Sequence, residues 1–148
     1  MKNKKILFVC TGNTCRSPMA ELLLKSKLKN AGITGYRVKS AGINATLGAK
    51  ISENSKKALK LLGVKVVGFK SSVLDAKTLL TSDYIICMTN SHKEKIKNFP
   101  GVYTFSELTG TQEVLDPYGQ DLNAYIRTSH ILDDGCNELI KLIEKGEL

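Results

Sequence analysis

Residues 5–21 read "KILFVCTGNTCRSPMAE", and the fold turns on how this stretch divides. Ile6 to Cys10 make a short continuous apolar run, the pattern of a central strand buried on both faces. Ser17-Pro18 reads as an N-cap followed by proline at the first helical position. Met19, Leu22, Leu23 and Leu28 then recur at helical spacing until "NAG" around Gly32 closes the helix. A strand, a short loop from Thr11 to Arg16 and a helix therefore open the chain.

The pattern continues outward. "YRVKSAG" (36–42) reads as a second strand ending in a loop at Gly42. "SENSKKALKLLG" (52–63) starts with Ser52 as N-cap, carries Glu53 in its first turn and stops at Gly63. "DYIICM" (83–88) is another buried strand, "NSHKEKIKNF" (90–99) a short polar helix, and "VYTF" (102–105) a fourth strand candidate. From Asp121 to about Lys145 a long helical pattern carries Leu122, Ile126, Leu132, Leu139, Leu142 and Ile143. Alternating strands and helices specify an α/β fold with a mostly parallel sheet. No repeat, linker or low-complexity segment divides the chain, so residues 1–148 are expected to form one domain.

At 148 residues, with 42% hydrophobic and 24% charged, the composition is that of a soluble globular domain. No apolar run approaches the roughly 20 residues that span a bilayer. The apolar run behind the basic start "MKNKK" is too short for a signal-peptide core, so a cytoplasmic location is expected. Cys10, Cys15, Cys87 and Cys136 are then thiols rather than a disulfide framework. Cys136 is most simply a small buried apolar residue. With no CxxC pair, and with His92 and His130 standing alone, nothing supports a metal site. The net charge of +8 favours anionic partners. Its lysines are scattered, without the basic tail or aromatic-interleaved patch of a nucleic-acid binder, and no membrane partner is expected either.

In open α/β sheets ligands gather at the carboxyl ends of strands, and Cys10 stands at such an end. The loop from Thr11 to Arg16 leads into a helix whose free N–H groups and dipole favour an anion. Consecutive backbone N–H groups in a tight loop can converge into an anion nest. Gly12 and Asn13 tolerate the positive φ that this curl needs. Arg16 adds a planar fork matching two phosphate oxygens. A Walker loop is excluded, because no Gly-Lys-Ser/Thr follows. A cysteine at a helix N-terminus beside an arginine is expected to be largely thiolate at neutral pH, placed to attack phosphorus in line. Ser17 would donate to that sulfur and ease its departure; on local grounds helix capping serves equally well. Asp116, in "EVLDPYG" (113–119), would supply the leaving-group proton, although an Asp-Pro in a loop is more often only a turn.

Cys10-Thr11-Gly12-Asn13-Thr14-Cys15-Arg16-Ser17-Pro18, with Asp116-Pro117-Tyr118 far downstream, resembles the low-molecular-weight protein tyrosine phosphatases. The likeness covers nearly the whole chain, including "SAG" at Ser40 to Gly42 and the final long helix. It implies a four-stranded parallel sheet flanked by helices, and a two-step reaction through a phosphocysteine without cofactor or metal. Cys10 would take the phosphoryl group, and backbone N–H groups of Thr11, Gly12, Asn13, Thr14, Cys15 and Arg16, with the Arg16 side chain, would hold it. Asp116 would protonate the leaving group and then activate water. Asn13, Ser17 and Ser40 match positions whose side chains brace the loop. Cys15 matches a cysteine that can pair reversibly with the nucleophile, or it simply fills the inner side of the loop. Where the family usually has a histidine after the second helix, this chain has Phe69, which leaves part of the bracing network without its expected member.

Three substrates suit such a scaffold. For phosphotyrosine a phenol slot needs flat apolar walls; Tyr118 is one, but "INATLGAK" (43–50) has no aromatic for the other. The bacterial protein arginine phosphatases resemble "CTGNTCRSPMAE" most closely, with a threonine at the position of Thr14, where tyrosine-specific members carry a larger aliphatic. A small hydroxyl side chain makes room for a guanidinium and can hydrogen-bond it, so Thr14 and Tyr118 are the specificity candidates and phosphoarginine the favoured substrate. Arsenate reduction needs a relay of further thiols; after Cys87 none follows, and Pro18 departs from those reductases. A non-catalytic phosphopeptide-binding module would need neither nucleophile nor acid. The expectation is a monomeric cytoplasmic cysteine phosphatase whose partners are phosphorylated proteins.

Overall fold

β1 (Lys4–Cys10) lies at the heart of the sheet because both of its faces are apolar. The computed structural model describes residues 3–148. β1 pairs in parallel with β2 (Tyr36–Gly42) on one side and β3 (Tyr84–Cys87) on the other, and β3 pairs with β4 (Val102–Thr104), giving the order β2-β1-β3-β4. Ile6 faces both Val38 and Tyr84, and Ile85 faces Val102, so the register follows the expected apolar runs.

Helices cover both faces. α1 (Arg16–Asn30), α2 (Glu53–Leu61), α5 (Phe105–Thr109) and α6 (Leu122–Glu144) bury Ile6, Phe8, Val38, Ile86 and Met88 together with Met19, Leu23, Leu28, Leu59, Leu132 and Leu139. α3 (Ala76–Leu80) and α4 (Asn90–Ile96) cover Leu7, Val9, Ile85 and Cys87 on the other face with Leu79 and Ile96. Phe8 and Phe105 meet with ring centroids 6.4 Å apart and planes at 57°, a tilted pair worth roughly 0.5–1.5 kcal/mol beyond its buried area. Gly135 of α6 lies against the Phe105 ring, where a Cβ would come within 2.1 Å of Cε2 and Cζ.

Three local readings change. α1 begins at Arg16, with Cys15 in the cap position and no side-chain cap, so Ser17 lies inside the first turn and does not cap it. The strand read over 102–105 ends at Thr104, because Thr104 and Glu107 form a reciprocal capping box that turns Phe105 into α5. α3, capped by the Asp75 side chain, is a helix that apolar periodicity did not reveal. The other starts hold: Ser52 accepts from the Ser55 N–H at α2, and Asp121 from the Ala124 N–H at α6. Cys136 and Cys87 are fully buried, as small apolar residues would be.

β1 leads one way to β2 and the other way to β3, so the strand order reverses at its carboxyl end, where open α/β sheets leave a crevice. No helix among the described residues is long and apolar enough to cross a membrane.

Candidate active site

Cys10 is the last residue of β1, and its side chain is 2% exposed at the base of that crevice. The loop after it curls through Asn13, whose φ of 54° makes it the only non-glycine residue with positive φ among those described. Asn is among the residue types that bear this conformation at low cost. The curl leaves the backbone N–H groups of Thr11, Gly12, Asn13, Thr14 and Cys15 with no acceptor among the described residues. Consecutive unpaired N–H groups ahead of a helix N-terminus make an anion nest.

Asn13 is fully buried and its amide holds the curl. Nδ2 donates to Ser17 Oγ and to Ser40 Oγ, each at 2.9 Å, and Oδ1 accepts from the Ser72 N–H at 2.8 Å. Ser40 in turn donates to Glu21 Oε1 at 2.6 Å, and Glu21 Oε2 meets Lys25 Nζ at 2.6 Å. The chain of donors fixes one proton. Ser17 Oγ already accepts from Asn13, so its own hydrogen is free for Cys10 Sγ, 2.8 Å away. Gly42 explains the "SAG" stretch, since a Cβ there would lie 2.5 Å from the Thr11 carbonyl oxygen and 2.9 Å from the Asn13 nitrogen. Beyond Gly42, the N–H groups of Ile43 and Asn44 donate to the carbonyls of Cys10 and Thr11.

Arg16, 4% exposed, donates from one terminal nitrogen to the Val114 carbonyl at 3.1 Å; the other lies 3.5 Å from Asp116 Oδ2. Asp116 is half exposed on a turn in which its Oδ1 accepts from the Tyr118 N–H and Gly119 takes a φ of 78°. A cavity of about 380 Å³ is enclosed by Cys10, Thr11, Gly12, Thr14, Cys15, Arg16, Asn44, Asp116 and Tyr118. The structure therefore brings the thiol, the curled loop, the guanidinium and the distant carboxylate to one place. Tyr118 stands at the rim, 77% exposed, and Thr14 lines the wall.

Cys15 points inward instead. Its sulfur is 3.6 Å from both Ser52 Oγ and Tyr125 Oη, and both Cys10 and Cys15 are free thiols. Burial, followed by the Cys15 contact, pushes the Tyr125 phenol up to about 12. Cys87 is pushed up to about 12 by burial. No group of three or more potential metal-binding side chains occurs among the described residues.

Phe69 packs half-buried on the core, while Asn13 is bonded by Ser17, Ser40 and the Ser72 N–H, with Glu21 accepting from Ser40. Sequence reasoning missed Glu21, Ser72, Asn44, the Val114 carbonyl and His92. Glu21 carried one usable signal, a carboxylate on the face of α1 that packs inward. His92 was read as isolated; in the fold its Nε2 lies 2.9 Å from Thr11 Oγ1 and its Nδ1 2.9 Å from Thr89 Oγ1. Burial holds its imidazole down at about 4, aided by the Arg16 and Lys95 charges and opposed by Asp116 and Glu113.

A thiol under an anion nest, with an arginine and a carboxylate across the same cavity, is the architecture of a phosphate-processing enzyme. The family described as low molecular weight phosphotyrosine protein phosphatase matches residues 5–147, and this chain belongs to it. It is similar to a protein-arginine-phosphatase of Bacillus subtilis, 37% identical over 95% of this chain and 97% of that one. A low molecular weight protein-tyrosine-phosphatase, PtpB, of Staphylococcus epidermidis is 37% identical over 84% of this chain and 88% of its own length. Among solved structures, a YwlE arginine phosphatase mutant with a phosphorylated active site serine superposes with a TM-score of 0.87 at 33% identity, covering 95% of this chain and 96% of that one. The chain is thus an enzyme, a protein phosphatase of the low-molecular-weight type.

Proposed function

We propose that this phosphatase removes phosphate from arginine side chains of proteins through a phosphocysteine. The observation that carries the reading is the set of unpaired N–H groups from Thr11 to Cys15 curled above Cys10. In the first step Cys10 Sγ attacks phosphorus. The S–P bond forms, the N–P bond breaks, and Asp116 gives its proton to the departing guanidine nitrogen. In the second, Asp116 takes a proton from water, the water oxygen attacks phosphorus, and the S–P bond breaks to release inorganic phosphate. The nest and Arg16 hold the phosphoryl oxygens throughout, and the Ser17 hydroxyl bonds the sulfur as it leaves.

Phosphoarginine is favoured by polar walls. Thr14 and Asn44 line the cavity beside Asp116, and Tyr118 is its one aromatic. A guanidinium carries several N–H donors that hydroxyl, amide and carboxylate groups can accept. The likeness to protein-arginine-phosphatases supports the same reading. Tyr118 and the PtpB relatives favour the second reading, phosphotyrosine. As a single domain acting in the cytoplasm as a monomer, the enzyme would meet phosphorylated proteins with its thiols reduced.

The test is kcat/KM on a phosphoarginine protein and on a phosphotyrosine peptide, for wild type and Thr14→Ile. Wild type is expected to prefer phosphoarginine and the variant to lose or invert that preference, about 1.4 kcal/mol of differential transition-state binding for each tenfold. A wild-type preference for phosphotyrosine that ignores Thr14 would make it a tyrosine phosphatase. Cys10→Ser is expected to abolish turnover of p-nitrophenyl phosphate, and persistence of turnover would remove Cys10 from the chemistry.

A further inference from the structure

We infer that His92 is a positioning residue of the phosphate-binding loop, anchoring Thr11 from the β3–α4 side so that the loop keeps its curl. The inference rests on the phosphatase reading above. His92 is 4% exposed in the first turn of α4, and both ring nitrogens are engaged, Nδ1 with Thr89 Oγ1 and Nε2 with Thr11 Oγ1. With contacts at both ends the ring cannot turn without losing one. Thr89 is itself the N-cap of α4, and Ile96 seats that helix in the smaller core. The anchor is therefore rigid.

Its value lies in where it holds the loop. Asn13 ties the curl to Ser40 and Ser72 on the β2 side, and Cys15 faces Ser52 and Tyr125 below α2 and α6. Among the described residues, Thr11 to His92 is the only side-chain hydrogen bond from residues 11–15 to the β3 side. Thr11 follows the nucleophile directly, so a shift there moves the first N–H of the nest relative to Cys10. The same turn also steadies the acid: the Asn90 N–H donates to Glu113 Oε1 at 2.9 Å and the Val114 N–H to the Met88 carbonyl at 3.4 Å. The turn from Met88 to His92 thus touches both halves of the site. The blander account, a histidine that merely caps and packs its own helix, leaves the Thr11 contact without consequence.

The two accounts separate in a double-mutant cycle on p-nitrophenyl phosphate turnover and its inhibition by inorganic phosphate. His92→Leu and Thr11→Val are each expected to lower kcat/KM on the order of ten- to a hundredfold, the range that small misplacements cost. Phosphate inhibition should weaken alongside. The double variant should be no worse than the poorer single one, because both remove one contact. His92→Gln, whose amide can still meet a hydroxyl, should recover part of the loss. Losses that multiply, or a Thr11→Val enzyme with unchanged kcat/KM and phosphate inhibition, would overturn the inference. If His92→Leu does not fold, Thr11→Val and His92→Gln decide: the first must lose activity and the second retain more of it. A wild type inert toward p-nitrophenyl phosphate would instead strike the phosphatase reading itself.

Discussion

Asp116 is the residue on which the proposed chemistry depends twice, once as acid and once as base. It lies 3.5 Å from an Arg16 nitrogen while half exposed, so that ion pair contributes about 1 kcal/mol or less to stability. Its importance is therefore to rate. Asp116→Asn should lower kcat on a phosphoarginine protein roughly 10²–10⁴-fold, the usual reach of general acid–base catalysis, and less on p-nitrophenyl phosphate, whose leaving group needs no proton. Pre-steady-state kinetics on both substrates checks this, and equal losses would argue against leaving-group protonation. At this scale the sequence displayed what is local. Cys10, the loop, Arg16 and Ser17 are contiguous, and Asp116 announced itself through Asp-Pro. Glu21 and His92 were hidden because their roles are defined by partners far along the chain, Ser40 for one and Thr11 for the other. Ser17 had two local readings, a cap and a donor to the Cys10 sulfur. Its oxygen accepts from Asn13 and lies 2.8 Å from that sulfur, and it does not cap α1.

Among the elements, strands were legible because parallel strands buried on both faces must be continuously apolar, as β1 and β3 are. α2 and α6 showed through one-sided apolar periodicity, whereas α1, buried on most sides, showed through its leucines between Pro18 and Gly32. The short ones, α3 and α5, have five residues each, too few for a period to repeat. Their signal was chemical instead: Thr104 followed three residues later by Glu107 is a capping box. α5 matters because it delivers Phe105 against α6, and this contact yields a direct test. In an open helix, Gly to Ala at position 135 would gain about 1 kcal/mol of helix propensity. Here the new Cβ would press within 2.1 Å of a fully buried ring. Overpacking costs typically 1–3 kcal/mol, so Gly135→Ala should be destabilised on balance. A lower urea midpoint at unchanged slope would be the sign; a raised midpoint would mean that Phe105 moves aside freely.

For the molecule as a whole, the buried His92 sets an acid limit on stability. Its imidazole titrates near 4 in the fold against 6.5 ordinarily, so between these values the unfolded chain binds a proton that the native state refuses. The contribution is complete above about pH 6.5 and drains away as pH falls toward 4. Glu107, held low by Lys93, and Asp75, held low by Thr78, also lose their contributions in acid, but they do so in any His92 variant. The melting temperature of His92→Gln should therefore approach that of wild type as pH drops from 7 toward 4.5. A constant gap would mean that the imidazole is not held neutral by the fold.

The placement of the four sulfurs has a practical outcome for covalent reagents. Cys87 and Cys136 are sealed inside and burial raises both, while the Cys15 sulfur is engaged by Ser52 and Tyr125. Cys10 lies at the base of the cavity of unpaired N–H groups and guanidinium, which Cys15 also lines. A carboxylate-bearing alkylator is drawn to that lining, whereas an uncharged one of equal electrophilicity is not. Iodoacetate should thus label Cys10 faster than iodoacetamide does, reversing the usual order for free thiols, and inorganic phosphate should protect. Peptide mapping after brief exposure would then find one modified sulfur, making the native protein its own active-site titrant.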